Sequence, residues 1–410
     1  MKQQLAGHDG QIVLTRNEFE SLLTTIQSDG YTTIGPTIKN GAIVFDPISK
    51  ADDLPIGWTD VQGPGSYRLE KRKDGRLFGY NNGPSAAKRW IYPPKRQLWS
   101  AVRRGAATEL IPSAEPIPKI ALIGLRPCDL KAIEILDKVL IGRAYADEDY
   151  RARREKVLLV AVNCSTASSV CFCTSMESGP AAKSGFDILL TELLDEHGHR
   201  FLLKAGSERG SRILTRLRGK AATREDRESC AKELARAESE IAKHLPTDGI
   251  KDRIYEQCES PHWKKVAERC LACGSCTLSC PTCFCSTVEE HTNLGVPSSE
   301  RARVWDSCFN QEFSYIHGGS VRQTASSRYR QWLTHKLAAW FDQFGTSGCV
   351  GCGRCIAWCP AGIDITEEAR ALYEDKPREQ KKPSTETKGP RQREADNGLI
   401  SEEVVVSPRG

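Results

Sequence analysis

Apolar positions along this chain fall into distinct rhythms, and each rhythm predicts a kind of element. Two short unbroken runs, "KIALIGL" (119–125) and "EKVLLVAVNC" (155–164), predict strands buried on both faces. Helical spacing follows the first run, where Leu130, Ile133, Leu136 and Leu140 recur on one face and Asp129 stands at the helix start. An earlier helix is predicted in "TRNEFESLLTTIQ", opened by the capping-box pair Thr15 and Glu18. Gly30 and the strand-like "YTTIG" end it, and "GAIVFDPI" (41–48), "FDILLTELLD" and "RFLLKAG" read as further strands. This alternation predicts an α/β domain over 118–218, preceded by an α+β region at 1–117 and followed by a charged, helical connection at 219–268.

Composition sharpens the picture where it touches cysteine. No run of about eighteen apolar residues is present to span a bilayer, and the N-terminus lacks an apolar signal core, so a cytoplasmic location is expected. In a reducing compartment, clustered cysteines point to metal or redox chemistry. The total of seventeen is odd, so a complete disulfide framework would leave a thiol over. The net charge of +5 does not by itself imply nucleic acid. It is uneven, however: between Lys71 and Arg104 ten Lys/Arg face a single acid, Asp74, interleaved with Trp90, Tyr92 and Trp99. Such a stretch suits a solvated face or a docking surface for an acidic partner, with Lys88, Arg89, Lys95 and Arg96 at its centre; nucleic acid is the weaker reading.

The chemistry lies further on. Cys270-x2-Cys273-x2-Cys276-x3-Cys280-Pro281 recurs as Cys349-x2-Cys352-x2-Cys355-x3-Cys359-Pro360. This is the bacterial ferredoxin run, present twice. Two-residue spacings let three soft thiolates from one tight loop converge on one cube. The x3 step carries the fourth away, and in two-cluster ferredoxins that cysteine ligates the other cluster. Cys270, Cys273, Cys276 and Cys359 are therefore expected to hold one [4Fe–4S] cluster, and Cys349, Cys352, Cys355 and Cys280 the second. Small residues between them (Ala272, Gly274, Ser275, Gly351, Gly353) suit a backbone that approaches a cluster closely. A zinc ribbon shares the CxxC element but not two copies of the full run.

Four more cysteines, Cys128, Cys164, Cys171 and Cys173, sit at or just beyond probable strand ends, where α/β sheets place their chemistry. They are read as a third cluster site, against the plainer reading of buried small apolar groups. Cys283, Cys285 and Cys308 line a cluster pocket or are spare thiols; Cys230 and Cys258 read as structural. His317, beside two glycines, reads as a turn residue rather than a proton relay. No nucleotide-binding glycine motif, HExxH or GxSxG occurs, so no self-contained active site is expected. The expected fold class is α+β: an N-terminal α/β domain, then a mostly helical 2[4Fe–4S] ferredoxin-like domain over 269–372 with a long insertion at 286–348, and a disordered tail at 373–410.

The segments "CLACGSCTLSCPTCFC", "RVWDSC", "SRYRQWLTHKL" and "CVGCGRCIAWCPAGIDI" resemble the iron–sulfur β subunits of cytoplasmic [NiFe] sulfhydrogenases. They resemble equally the A subunits of anaerobic sulfite reductases. The likeness extends upstream through "GPSAAKRWIYPP", "GLRPCDLKAIEILD", "YRARREKVLLVAVNC" and "CFCTSM", covering about residues 60 to 370. It implies an electron-transfer subunit between a flavoprotein that binds FAD and NAD(P)H and a catalytic partner, a hydrogenase or a sulfite reductase. The cofactors on this chain would be two [4Fe–4S] clusters, with a third at the Cys128 site. A zinc-stabilised nucleic-acid-binding scaffold is the alternative of another class.

Overall fold

The computed structural model describes residues 10–81, 83–113, 115–292 and 298–375. The two unbroken apolar runs become Ile120–Leu125 and Leu158–Val162, every residue of both buried. They lie at the centre of an eight-stranded sheet ordered Lys220–Ala221, Gln11–Thr15, Gly198–Ala205, Ile188–Asp195, Leu158–Val162, Ile120–Leu125, Thr32–Lys39, Ala42–Pro47. The four strands from Ile188–Asp195 to Thr32–Lys39 pair in parallel and the outer ones antiparallel. A parallel sheet needs cover on both faces. The helix Phe19–Ser28 packs Phe19, Leu22, Leu23 and Ile26 on one side. The helix Pro127–Leu140 packs Leu130, Ile133 and Leu136 on the other. Each fully buried aliphatic side chain contributes about 1.5–3 kcal/mol.

Helix starts follow the predicted chemistry. The Thr15 N–H donates to Glu18 Oε2 at 2.7 Å, and the Arg126 N–H donates to Asp129 Oδ2 at 3.2 Å, each carboxylate satisfying a donor at a helix entrance. The proposed division at 117/118 runs through this sheet, because Gln11–Thr15, Thr32–Lys39 and Ala42–Pro47 come from before it. The central strands bury their edges only with those N-terminal strands in place.

A second sheet was not anticipated. Ser286–Thr292, Ser298–Trp305, Lys95–Arg104 and Ala107–Pro112 pair antiparallel in that order. The insertion is therefore half strand and half helix, the helical half being Ala325–Thr334, a π-turn at His335–Ala339 and Trp340–Phe344. The pairing also corrects the docking surface expected at Lys88, Arg89, Lys95 and Arg96. Arg96 is buried against Asp149 (2.9 Å) and Glu115, and Lys88 is buried with its ammonium 3.9 Å from the Trp305 ring. Only Arg89 and Lys95 of the four face solvent.

The cysteine-rich region packs on helices Ile250–Glu256, His262–Ala267 and Ile365–Glu374 around a core of Trp263, Phe309, Tyr329, Trp332, Leu333 and Leu372. Through Asp375 the chain forms one compact unit. Of the tail expected at 373–410, residues 373 and 374 close the last helix, and those after 375 lie outside the described residues. His317 is exposed in a tight turn before Gly318 (φ +94°), as a turn residue should be. Among the described residues no helix is long and apolar enough to cross a membrane.

Candidate metal centres

The two cysteine runs build the same loop twice. In the first, Ala272 (φ 50°) and Gly274 (φ 75°) take left-handed conformations before a single helical turn, Ser275–Leu278. In the second, Gly351 (φ 64°) and Gly353 (φ 73°) do the same before Arg354–Ala357. The hydrogen bonds also repeat. The N–H groups of Thr277 and Leu278 donate to the Gly274 carbonyl, as those of Ile356 and Ala357 donate to Gly353. The Ala272 N–H points at Cys270 Sγ and the Gly351 N–H at Cys349 Sγ, both at 3.4 Å. Two left-handed residues per loop curl the backbone so that amide donors face sulfur, an arrangement that favours thiolate.

The fourth cysteines cross over. Cys270, Cys273 and Cys276 line a small cavity together with Cys359 and Cys355 of the second run, and Cys359 is a neighbouring charge of both Cys270 and Cys276. Phe309, Tyr329 and Trp332 wall it, Tyr329 and Trp332 lying 5.4 Å apart between ring centres. The Ile363 N–H donates to Cys359 Sγ at 3.3 Å. Cys280 in turn joins the second loop. Burial pushes the Cys355 thiol well up, and the neighbouring Cys349, Cys352 and Cys280 sulfurs add to the shift. Burial likewise pushes Cys349 up to about 12, offset in part by the Lys336 ammonium. Such thiols give up their protons readily only to a metal. Among the described residues, no three Cys, His, Asp or Glu side chains converge on a single-ion position. Two full runs of soft thiolates with amide donors aimed at their sulfurs are the donor set an iron–sulfur cube takes. The donor set thus fits the [4Fe–4S] clusters read from the spacing.

The four upstream cysteines also meet. Cys128 is the second residue of the helix Pro127–Leu140, and Cys164 lies just past the strand Leu158–Val162. The loop at Gly179 and Pro180 ties them together. The Cys164 N–H donates to the Pro180 carbonyl at 3.1 Å, and a Cβ on Gly179 would stand 3.1 Å from Cys173 Sγ and 3.6 Å from Pro127 Cβ. Burial pushes the Cys173 thiol up to about 12, with Cys164 and Cys352 adding as neighbouring charges. Burial also raises Cys171, followed by Cys173, and it raises Cys128, followed by Asp129 and Cys352. Cys352 of the second run therefore lies beside this group.

The second run is locked to that group by backbone. The Phe172 N–H donates to the Gly351 carbonyl (2.9 Å) and Ser178 Oγ to the Val350 carbonyl (2.5 Å). A Cβ at Gly351 would meet the Phe172 carbonyl oxygen at 2.5 Å. Arg354 Nη2 bonds Asp129 Oδ1 at 2.8 Å, both side chains 1% exposed.

Cys283, Cys285 and Cys308 stand at the edge of this ensemble. A hydrogen bond from Cys308 holds the Cys285 thiol down to about 7 and pushes Cys308 up. Lys336 Nζ reaches Cys280 Sγ (3.3 Å), Cys283 Sγ (3.4 Å), Thr282 Oγ1 (3.3 Å) and the Gly348 carbonyl (3.1 Å). Lys88 Nζ donates to the Cys283 carbonyl at 2.8 Å. Cys230 is apart, bonded to Thr191 Oγ1 at 3.4 Å, and the Cys258 carbonyl accepts from Arg330 at 2.7 Å. Sequence reasoning missed Lys336 and the Arg354–Asp129 pair, and it placed Lys88 on a docking surface instead of beside the cysteines. A lysine amid the aromatic "RYRQWLTHKLAAWFDQF" was the only available signal.

Comparison with known proteins agrees with this geometry. A family of 4Fe-4S dicluster domains matches residues 269–363. Subunit beta of sulfhydrogenase 2 from Pyrococcus furiosus is 33% identical over 348 residues, spanning 82% of this chain and 91% of that protein. No solved structure matches the chain.

Proposed function

The chain belongs to the family of sulfhydrogenase iron–sulfur β subunits, and from that premise we propose that it relays electrons between a flavoprotein partner carrying FAD and NAD(P)H and a catalytic [NiFe] hydrogenase subunit. The observation that carries the reading is the crossing of the fourth cysteines, Cys359 into the first cavity and Cys280 beside the second loop. We assign Cys270, Cys273, Cys276 and Cys359 to one cluster and Cys349, Cys352, Cys355 and Cys280 to the other. Cys128, Cys164, Cys171 and Cys173 are assigned to a third. When bound, [4Fe–4S] clusters supply one-electron carriers. The chain's own residues fix their spacing, exclude water with Phe309, Tyr329 and Trp332, and direct amide N–H groups at the sulfurs. Seventeen thiols are best kept reduced in the cytoplasm, and a hetero-oligomer follows from the family's division of labour.

Iron and sulfide analysis of oxygen-free protein tests the assignment. About eight irons are expected for two clusters and about twelve for three. Cys128→Ser and Cys164→Ser should each remove about four irons, one cluster's worth, while Cys230→Ser should remove none. Colourless protein holding zinc would support the nucleic-acid scaffold instead. A reconstituted complex that reduces sulfite and takes up no hydrogen would assign the chain to the sulfite reductase branch.

A further inference from the structure

Among the described residues, no carboxylate contacts the buried cation Lys336. Its side chain is 4% exposed, and among the described residues its partners are the Cys280 and Cys283 sulfurs, Thr282 Oγ1 and the Gly348 carbonyl. A buried ammonium needs nearby negative charge to offset its desolvation, and the sulfurs are the groups in contact that can supply it. The backbone is shaped to put it there. Lys336 sits in the π-turn His335–Ala339 between two α-helices, a register change of the kind that re-aims a side chain. The Gly348 N–H donates back to the Lys336 carbonyl at 2.8 Å, so the lysine and the start of the second cysteine run hold each other. Among the described residues no lysine or arginine is hydrogen-bonded to a sulfur of the first cavity, where Arg328 and Lys336 act on Cys270 and Cys276 only as neighbouring charges. The residue there that matches Arg354 is Ser275, and the walls are aromatic.

We propose that Lys336 sets the reduction potential of the centre held by Cys280, Cys349, Cys352 and Cys355, its ammonium favouring the reduced state that burial disfavours. The proposal rests on the cluster assignment above. A four-thiolate cubane carries net negative charge, and an added electron makes it more negative. In a dry site that step is disfavoured, while a cation touching a ligand sulfur favours it. Lys336 is thus a positioning residue for charge: it acts through Cys280 and touches no substrate.

Redox titration of the oxygen-free protein, followed by the spectrum of the reduced clusters, tests this in Lys336→Met and Lys336→Gln. Lys251→Met, at a half-buried residue paired with Asp342, is the control. Iron content should match the unaltered protein. One midpoint potential should fall in both variants by at least tenfold in the reduction equilibrium, about 59 mV for a one-electron couple, with any shift in the others clearly smaller. An unchanged set of potentials overturns the proposal. A fall in Lys336→Met that Lys336→Gln restores assigns the effect to hydrogen bonding and overturns it as well. Loss of iron from both variants overturns it in favour of a role in holding the cluster. Absence of iron from the unaltered protein would instead reject the cluster assignment itself.

Discussion

The two cysteine runs share a backbone and differ in nearly everything that surrounds it. Leu271 of the first is 68% exposed, and Val350 at the matching place in the second is 2% exposed. Cys273 faces solvent, whereas Cys352 is buried. Ser275 in the first matches Arg354 in the second, which is driven into the α/β half and paired with Asp129. Ligand spacing therefore dictates the loop, and the residues between ligands dictate which way the loop looks. One loop faces outward, and the other is built into the sheet-bearing part of the chain.

The largest test of this contrast is electrostatic. Arg354→Met strands the Asp129 carboxylate in the interior and should cost about 3–5 kcal/mol. Ser275→Ala should stay within about 0.5 kcal/mol. Thermal unfolding of oxygen-free protein measures both. Equal losses would mean that the second run is not anchored through its arginine. The double change Arg354→Met with Asp129→Leu should recover part of the loss, since it removes the stranded charge but leaves the Arg126 N–H without the carboxylate that caps it.

Glycine supplies a smaller contrast. Gly274→Ala and Gly353→Ala both meet left-handed strain, of about 1–2 kcal/mol. Only at Gly353 would the new methyl also press into the Val170 carbonyl; at Gly274 it would meet a serine side chain, Ser307 Oγ at 3.0 Å. The second substitution should therefore be worse by a further 1–3 kcal/mol or about that. A reversed order of melting temperatures would contradict the packing of the second loop on the Cys171–Cys173 segment.

The smallest effect should be seen in metal release. A chelator acting on reduced protein should remove iron in two phases, the faster comprising about four irons from the outward cluster. Cys273, beside exposed Leu271 and Leu278, is the point of entry. A single phase would erase the distinction between an open and a closed centre.

These contrasts divide what could be read from the chain from what could not. Ile120–Leu125 and Leu158–Val162 announce themselves because a strand buried on both faces has no polar positions to interrupt it. Ser286–Thr292 does not, since "STVEEHT" lies almost wholly in solvent and shows no apolar alternation. Its neighbour Ser298–Trp305 pairs with Lys95–Arg104, far away in sequence, and nothing local records that choice. The dicluster domain was legible because cluster geometry constrains spacing along the chain. Cys128 and Cys164 could be placed near each other because both follow neighbouring parallel strands, and Cys171 and Cys173 because they lie on the loop just after. Lys336 and the Arg354–Asp129 pair were not legible, because each takes its meaning from partners that only tertiary folding brings near.

The crossing of the fourth cysteines has a consequence for biogenesis. The ribosome releases Cys270, Cys273 and Cys276 well before Cys359, which completes the wall of their cavity. Nascent chains must carry three waiting sulfurs through the synthesis of the entire intervening segment. On the assignment proposed above, a chain cut short just before Cys359 would still hold Cys280, Cys349, Cys352 and Cys355, and the first set alone would wait for its last sulfur.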